Sequence, residues 1–199
     1  MNVDRCLEAS AAQRKQWKAQ ARALRAFYYF MIFRSYGPFV ILGEEPIPLD
    51  ISTAELLKER NTVDECVDFM AKEFDDAANE LPDRYDGSNL GRIDRAACKA
   101  FKAKMLLYAA SPINNPRPGD PDKFSDLVDY DGNCLMSQEY NEYKWARAAA
   151  AARDVMELPG ENNGHRYELY HKKATTIAEP GYPATITPYQ DCLLYTSPS

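Results

Sequence analysis

Apolar residues recur every three or four positions along four stretches of this chain, and this spacing predicts four α-helices. We expect them at Asp4–Tyr36, Thr62–Leu81, Gly91–Pro112 and Asn141–Leu158. The two long connections between them contain several prolines and show no sustained helical period. Connections of this length are unusual inside a compact helical domain, so we expect them to lie over a larger body.

The helix Gly91–Pro112 has two adjacent packing stripes, one of small residues and one of larger residues. The small stripe is Ala96, Ala100, Ala103, Leu107 and Ala110, and the larger is Ala97, Phe101, Met105 and Tyr108. Small side chains let a neighbouring helix approach closely, and larger ones fill the space beside it. We therefore expect this helix in the middle of a stack, with helices on both sides.

The first helix is polar in its first half and rich in aromatic residues in its second half. The apolar positions of the second half are Leu24, Phe27, Tyr28, Met31, Ile32 and Tyr36. Aromatic side chains bury the largest area per residue, so we expect this face in the core. Gly37 and Pro38 follow it and are typical of a helix end.

The second helix has the clearest start signal in the chain. Thr62 and Glu65 match a capping box, in which each side chain accepts a hydrogen bond from a free amide of the first turn. A strict apolar stripe follows: Val63, Val67, Met70, Phe74, Ala77 and Leu81. The charged positions expected to face water are Asp64, Asp68, Lys72, Asp75 and Glu80. One narrow stripe favours an outer helix.

The fourth helix completes a pattern of two helical hairpins. Its expected packing face is Trp145, Ala148, Ala149, Ala152, Val155 and Met156. Hairpins that hide their apolar faces only by stacking are typical of helical solenoids. Aromatic first helices, alanine-rich second helices and a proline after the helix end fit the tetratricopeptide type. The sequence thus predicts an all-α fold of tetratricopeptide-like hairpins with long loop insertions.

Composition and charge exclude several functional classes. The chain is 45% apolar and 27% charged, which is typical of a globular protein. Its net charge is -6, and its Lys and Arg residues are spread among acidic ones, so no basic surface for nucleic acid is expected. No stretch has the apolar length needed to cross a bilayer. The first ten residues lack the pattern of a secretion signal.

The cysteines and histidines do not predict a metal site or a cofactor site. Cys6, Cys66, Cys98, Cys134 and Cys192 match no zinc-binding spacing, and His165 and His171 have no partner at ligand spacing. Cys66 and Cys98 fall inside predicted helices, where we expect them to pack as small apolar side chains.

The second long connection is rich in aspartate, but its pattern does not predict catalysis. Residues 129–133 (DYDGN) resemble a calcium loop only faintly, because Gly132 is misplaced and no glutamate closes the ring. A glycoside hydrolase needs two carboxylates held at a fixed distance, and a proline-bounded loop gives no reason to expect that rigidity. The chain shows no nucleophile–base pair, metal triad or phosphate loop. We therefore expect no catalytic residues and a protein that binds without catalysis.

Sugar binding would use aromatic side chains as platforms, with planar polar groups beside them. Tyr130, Tyr140 and Tyr143 are the local aromatic candidates. Ordinary packing in loops and helix caps is the competing interpretation for each of them. No ligand-binding residue is assigned from the sequence.

Four blocks of the chain, in this order, resemble the SusD/RagB family. They are ARALRAFYYFMIFRSYGPFVIL, TVDECVDFMAKEFDDAANELP, GRIDRAACKAFKAKMLLYAASPINN and the helix around Trp145. The most specific parts are residues 25–37 and 91–112. Together the blocks cover about 130 residues.

The resemblance implies an outer-membrane, surface-exposed, lipid-anchored protein that binds glycans. It also implies a partner, a TonB-dependent (SusC-like) transporter to which oligosaccharides are delivered for nutrient uptake. Members of this family are much longer, so the chain is expected to be a fragment of a larger SusD-like fold, with Met1 internal. In the family the glycan site is built mostly from loops outside these helices.

The resemblance divides the chain into three parts. Residues 1–160 are expected to be the SusD-like helical-repeat region, and residues 161–191 the start of a truncated loop-rich part. Residues 192–199, CLLYTSPS, are similar to the translation of a common sequencing adapter. We therefore expect the native sequence to end near Asp191.

A second functional class fits the same helical pattern. A tetratricopeptide-type scaffold that binds a peptide or protein needs a concave groove lined by exposed polar residues. The aromatic-rich first helix favours burial instead, so glycan binding is the leading hypothesis.

Overall fold

The computed structural model describes residues 2–85, 87–120, 124–160, 164, 166 and 167. In this part of the chain the α-helices are α1 (Ala11–Tyr36), α2 (Thr53–Leu56), α3 (Val63–Glu80), α4 (Arg95–Ala110) and α5 (Glu142–Met156). The described residues contain no β-strand, and Val128 and Cys134 form an isolated antiparallel bridge. The predicted all-α fold class is confirmed.

The chain divides into two compact units, residues 1–155 and 156–199. The first unit contains all the helices except the last residue of α5. In the second unit the described residues are joined by a hydrogen bond from the Arg166 amide to the Leu158 carbonyl, at 2.9 Å. The expectations for residues 161–191 and 192–199 otherwise lie outside the described residues.

Neighbouring helices of the first unit run antiparallel along the chain. Both α1 and α4 pack against α3. Arg25 of α1 pairs with Glu73 of α3, and Lys102 of α4 pairs with Asp75. Further along, Arg147 of α5 pairs with Asp68 at 2.7 Å. Helix α3 therefore forms an antiparallel pair with α1 on one side and with α4 on the other, and α5 is joined to α3 by its ion pair.

The first helix begins later than predicted, at Ala11 rather than Asp4. Ser10 caps it, because its side chain accepts a hydrogen bond from the Gln13 amide while the Gln13 side chain accepts one from the Ser10 amide. This capping box fixes the start of the α-helix, and residues 2–5 form a separate 3-10 turn. Its end after Tyr36 is as predicted, with Gly37 at φ +74°.

The prediction for the packing face of α1 is wrong. Its buried residues are Ala19, Ala23, Ala26, Phe30 and Phe33. Of the expected face only Phe27 is partly buried, against Phe101 at a ring-centroid distance of 4.9 Å. The alanines let α1 approach α3 closely, which larger side chains there would prevent. The outer face of α1, defined here as Trp17, Leu24, Tyr28, Met31 and Ile32, is exposed.

The prediction that α3 is an outer helix is also wrong, although its predicted start and its predicted apolar and charged positions are confirmed. The Thr62–Glu65 capping box is present, the whole apolar stripe is buried, and the five predicted water-facing charges are exposed. Cys66, Ala71, Glu73 and Ala78 are buried as well. These residues widen the packed face of α3, so α1 lies on one side of it and α4 on the other.

The faces of α4 and α5 follow the predictions only in part. In α4, Cys98, Met105, Leu106 and Ala109 are buried, but Ala100 and Leu107 of the small stripe are exposed. In α5 the buried residues are Ala148 and Ala151. The predicted positions Trp145, Ala149, Ala152 and Met156 are exposed instead.

A group of charges joins α1, α3 and the connection after α1. Glu73 is 5% exposed and accepts hydrogen bonds from Arg25, including one from Nε at 2.9 Å. Glu44 of the connection pairs with both Arg22 and Arg25, at 3.1 and 3.2 Å. Burial lowers the pKa of Arg25, but the bonds and charges of Glu73 and Glu44 outweigh it and raise the pKa. The buried carboxylate is thus paired rather than isolated.

The second long connection is fastened to the helical body by buried hydrogen bonds. Asn115 is 1% exposed, and its amide group forms two bonds to the backbone of Asn141, at 2.8 and 2.9 Å. These two hydrogen bonds hold the turn that follows α4 against the start of α5. It brings together two points that are 26 residues apart in the sequence.

Two of the cysteines are core residues, as predicted. Cys66 and Cys98 are both fully buried free thiols. Burial raises the pKa of Cys66 to about 11, against an opposing hydrogen bond from the Phe39 amide. Burial also raises the pKa of Cys98 to about 12, with a further contribution from the charge of Asp94.

Cys66 and Cys98 are therefore expected to react slowly with iodoacetamide in the folded chain, and Cys6 and Cys134, which are only partly buried, faster. Peptide mass spectrometry measures the four rates, and urea should make them similar. Fast native labelling of Cys66 or Cys98 would contradict this burial.

The raised pKa of the Cys66 thiol also makes stability depend on pH. Its contribution to stability is fully present below the unfolded pKa of 9.0 and is lost as pH rises above it. The free energy of unfolding should thus fall as pH rises from 9 towards 11.

Candidate functional site

A charged cleft lies between α3, α4 and α5 and has a volume of about 520 Å³. Its floor is apolar and is formed by Ala71, Leu106, Ala150 and Ala151. Its walls are charged: Asp68, Lys72, Asp75, Asp76, Lys102, Arg147 and Asp154. The cleft exists because α5 meets α3 through long ion-paired side chains rather than through close helix contact.

The charges of the cleft largely pair with one another. Lys102 Nζ lies 2.6 Å from Asp75, and Arg147 lies 2.7 Å from Asp68. Lys72 pairs with Asp76 one turn later on α3. The lining contains no aromatic side chain. A sugar ring would therefore find no aromatic platform to stack on in the cleft.

The second long connection forms a tight turn at the DYDGN segment. The backbone bridge between Val128 and Cys134 closes it, and the Asp129 amide donates to the Asn133 carbonyl at 3.0 Å. Gly132 has φ +85°, a conformation that favours glycine. Inside the turn the Asp129 carboxylate accepts bonds from the amides of residues 131 and 133, at 3.0 and 2.7 Å.

Asp129 serves the turn itself. The hydrogen bonds that the side chain and the backbone amide of Asn133 donate to its carboxylate are the main cause of its lowered pKa. Both carboxylate oxygens are occupied, because Asn133 Nδ2 also donates to Oδ2 at 3.0 Å. Within the described residues no three His, Cys, Asp or Glu side chains are placed to hold a metal ion. The segment that resembles a calcium loop in sequence is thus a turn held by its own hydrogen bonds.

The same turn is attached to the helical body at its base and at its tip. At its base, the Leu135 amide donates to the Leu127 carbonyl, and the Val63 amide donates to the Leu135 carbonyl, both at 2.9 Å. At its tip, the Tyr130 amide donates to Glu59 Oε1 at 3.0 Å. Glu59 was not a candidate residue, since nothing local in the sequence connects positions 71 residues apart.

All three candidate tyrosines are exposed. The exposed fraction is 80% for Tyr130, 65% for Tyr143 and 43% for Tyr140. Tyr130 lies at the tip of the turn, Tyr143 in the first turn of α5, and Tyr140 just before that helix. The competing interpretation, ordinary packing, does not describe Tyr130.

The helices described here give no sign of a membrane span. None combines the length and the apolar character that crossing a bilayer requires.

Comparison with known proteins finds a family model and solved structures that resemble this chain. A family model, SusD-like and described as starch-binding and associating with the outer membrane, matches residues 3–107. BT4246 is 38% identical over 77% of this chain and 26% of its own, with a TM-score of 0.63. A crystal structure with xylogluco-oligosaccharide is 25% identical over 79% of this chain and 26% of its own, with a TM-score of 0.50.

A SusD-like protein from Bacteroides fragilis is 24% identical over 51% of this chain and 19% of its own, with a TM-score of 0.46. No curated protein matches the chain. The chain spans 26% of the length of BT4246 and of the protein crystallised with xylogluco-oligosaccharide.

Proposed function

We infer the function from one premise: this chain belongs to the SusD-like family, described as starch-binding and associating with the outer membrane. We propose that it is part of a non-catalytic protein that binds oligosaccharides at the outer-membrane surface. The observation that carries this proposal is the family match over residues 3–107, which includes α1, α3 and most of α4.

The finer parts of the proposal concern location and partner. We propose that the longer protein is held at the cell surface by a lipid anchor and delivers its ligand to a TonB-dependent transporter. Family membership supports both statements. Recovery of such a transporter together with the longer protein from solubilised outer membranes checks the partner.

The absence of catalysis is a proposal that the acidic connection supports. A glycosidase needs one carboxylate as acid and one as base or nucleophile, both free to meet substrate. Asp129 instead uses both of its oxygens to hold its own turn. The family description names binding, and no reaction.

The 199-residue chain is expected to bind at least one neutral oligosaccharide saturably without cleaving it. Isothermal titration with maltoheptaose and with a xylogluco-oligosaccharide measures binding, and a reducing-end assay after long incubation measures cleavage. New reducing ends would contradict the non-catalytic part of the proposal. Lack of binding to every neutral glycan tested would contradict a glycan site on this chain.

A protein-interaction scaffold is the second candidate, and the outer face of α1 favours it. Leu24, Tyr28, Met31 and Ile32 are each at least 40% exposed along one side of the helix. Contiguous apolar surface of this kind marks contacts with other protein surfaces more often than contacts with sugars. Saturable glycan binding that survives loss of this face would separate the two functions.

A further inference from the structure

The most exposed tyrosine among the described residues is Tyr130, at 80%. Aromatic side chains that face water to this degree on a rigid element are the usual platforms of sugar sites, because a sugar ring stacks its C–H face on them. Helix α1 also exposes aromatic side chains, Trp17, Tyr28 and Tyr36. Tyr130 differs from them because it lies in a turn with carboxylates beside it, Glu59 bonded to its amide and Asp131 next in the chain.

The backbone of Tyr130 is held on several sides. Asp129 carries the internal hydrogen bonds of the turn, and Glu59 accepts the amide of Tyr130 itself at 3.0 Å. The base of the turn joins the first residue of α3 through Leu135, which is 3% exposed. A platform that is already ordered loses little conformational freedom when a ligand binds.

The polar groups around Tyr130 suit hydroxyl donors. Glu59 uses Oε1 for the Tyr130 amide, and its other oxygen remains an acceptor. Asp131, the next residue along the turn, is exposed. Carboxylates accept hydrogen bonds from sugar hydroxyls and repel anions, and the net charge of -6 acts in the same direction. The surroundings thus fit a neutral glycan rather than a polyanion.

We propose that the turn 127–135 is a glycan-binding platform, in which the ring of Tyr130 stacks on a neutral sugar and Glu59 accepts a hydroxyl hydrogen bond. The proposal rests on the glycan binding proposed above and assigns it a place on this chain. It also gives a role to the hydrogen bond between Glu59 and the turn, which holds the backbone of Tyr130 beside an acceptor.

The test compares Tyr130→Ala with two matched variants. Tyr36→Ala removes another tyrosine of similar exposure, 77%, at the end of α1. Tyr130→Phe keeps the ring and removes only the hydroxyl. Titration with the glycan that the unmodified chain binds best should show a Kd about tenfold higher for Tyr130→Ala, and little change for the other two. Equal urea midpoints of all variants show that folding is intact.

A second readout follows the ring directly. With tyrosine rings labelled with ¹³C, the glycan should shift the signal that Tyr130→Ala removes and leave the Tyr36 signal in place. Unchanged affinity and an unshifted Tyr130 signal, in a chain that still binds glycan, would overturn the platform and leave the proposed function standing. Failure of the unmodified chain to bind any neutral glycan would overturn the platform together with any glycan site on this chain.

Discussion

Replacing Phe74 with alanine is expected to lower the free energy of unfolding by about 3–5 kcal/mol. Phe74 is fully buried on α3 and stacks on Phe101 of α4 at a ring-centroid distance of 6.3 Å. Its cluster also contains Ala19, Ala23 and Ala26 of α1. One ring therefore fills the space where three helices meet.

The expected loss is large because the site cannot close after truncation. The side chains of the surrounding alanines are too short to fill the cavity, and the helix backbones behind them are rigid. The cost of a core truncation grows with the cavity that remains. Urea unfolding followed by circular dichroism measures the change.

Tyr36→Ala serves as the control for this prediction as well. It removes a ring of similar size from a position that is 77% exposed, and its effect should stay within about 0.5 kcal/mol. A loss below about 1 kcal/mol for Phe74→Ala would show that the three helices do not meet around this ring.

Replacing Glu73 with leucine is expected to cost about 3 kcal/mol. The side chain of Glu73 is 7% exposed and that of Arg25 is 25% exposed, so the substitution leaves a mostly buried cation whose remaining carboxylate partner, Glu44, is exposed. Removing one member of a buried ion pair is costly for this reason. The partial exposure of Arg25 and its contact with Glu44 place the loss at the lower end of the usual range.

Two further variants separate charge from packing. Asp68→Leu, also on α3, breaks a more exposed pair, in which the side chain of Asp68 is 65% exposed and that of Arg147 on α5 is 31% exposed, and should cost less than about 1 kcal/mol. The double variant Arg25→Met/Glu73→Leu removes both charges and should recover most of the loss, because a buried pair can be replaced by apolar residues. If the double variant is as unstable as Glu73→Leu, the unpaired charge is not the cause.

The candidate site was only partly accessible from the sequence. Tyr130 could be chosen as an aromatic residue in a loop, since turns lie at surfaces. Its partner Glu59 could not, because their contact depends on how two long connections are placed by α3. The charged cleft was likewise hidden, since it arises from residues on three helices and no local pattern connects them.

The sequence by itself determined where several helices begin and end. Thr62 with Glu65 fixed the start of α3, Gly37 ended α1, and the alternation of apolar and polar residues marked four main helices. These signals are local, because a capping residue or a helix-breaking residue acts within one turn of the backbone. The SusD-like blocks were readable for the same reason, as continuous segments.

Only the tertiary structure decided which faces of those helices are buried. Helix α1 buries Ala19, Ala23 and Ala26 together with Phe30 and Phe33, and leaves its other aromatic and aliphatic face exposed. The alanines lie on the packed face because close approach of two helices requires small side chains. Glu73 is a charged residue with no partner nearby in the sequence, and it becomes a core residue because Arg25, 48 residues away, neutralises it. Burial depends on the partner as well as on the residue, and partners are chosen by the fold as a whole.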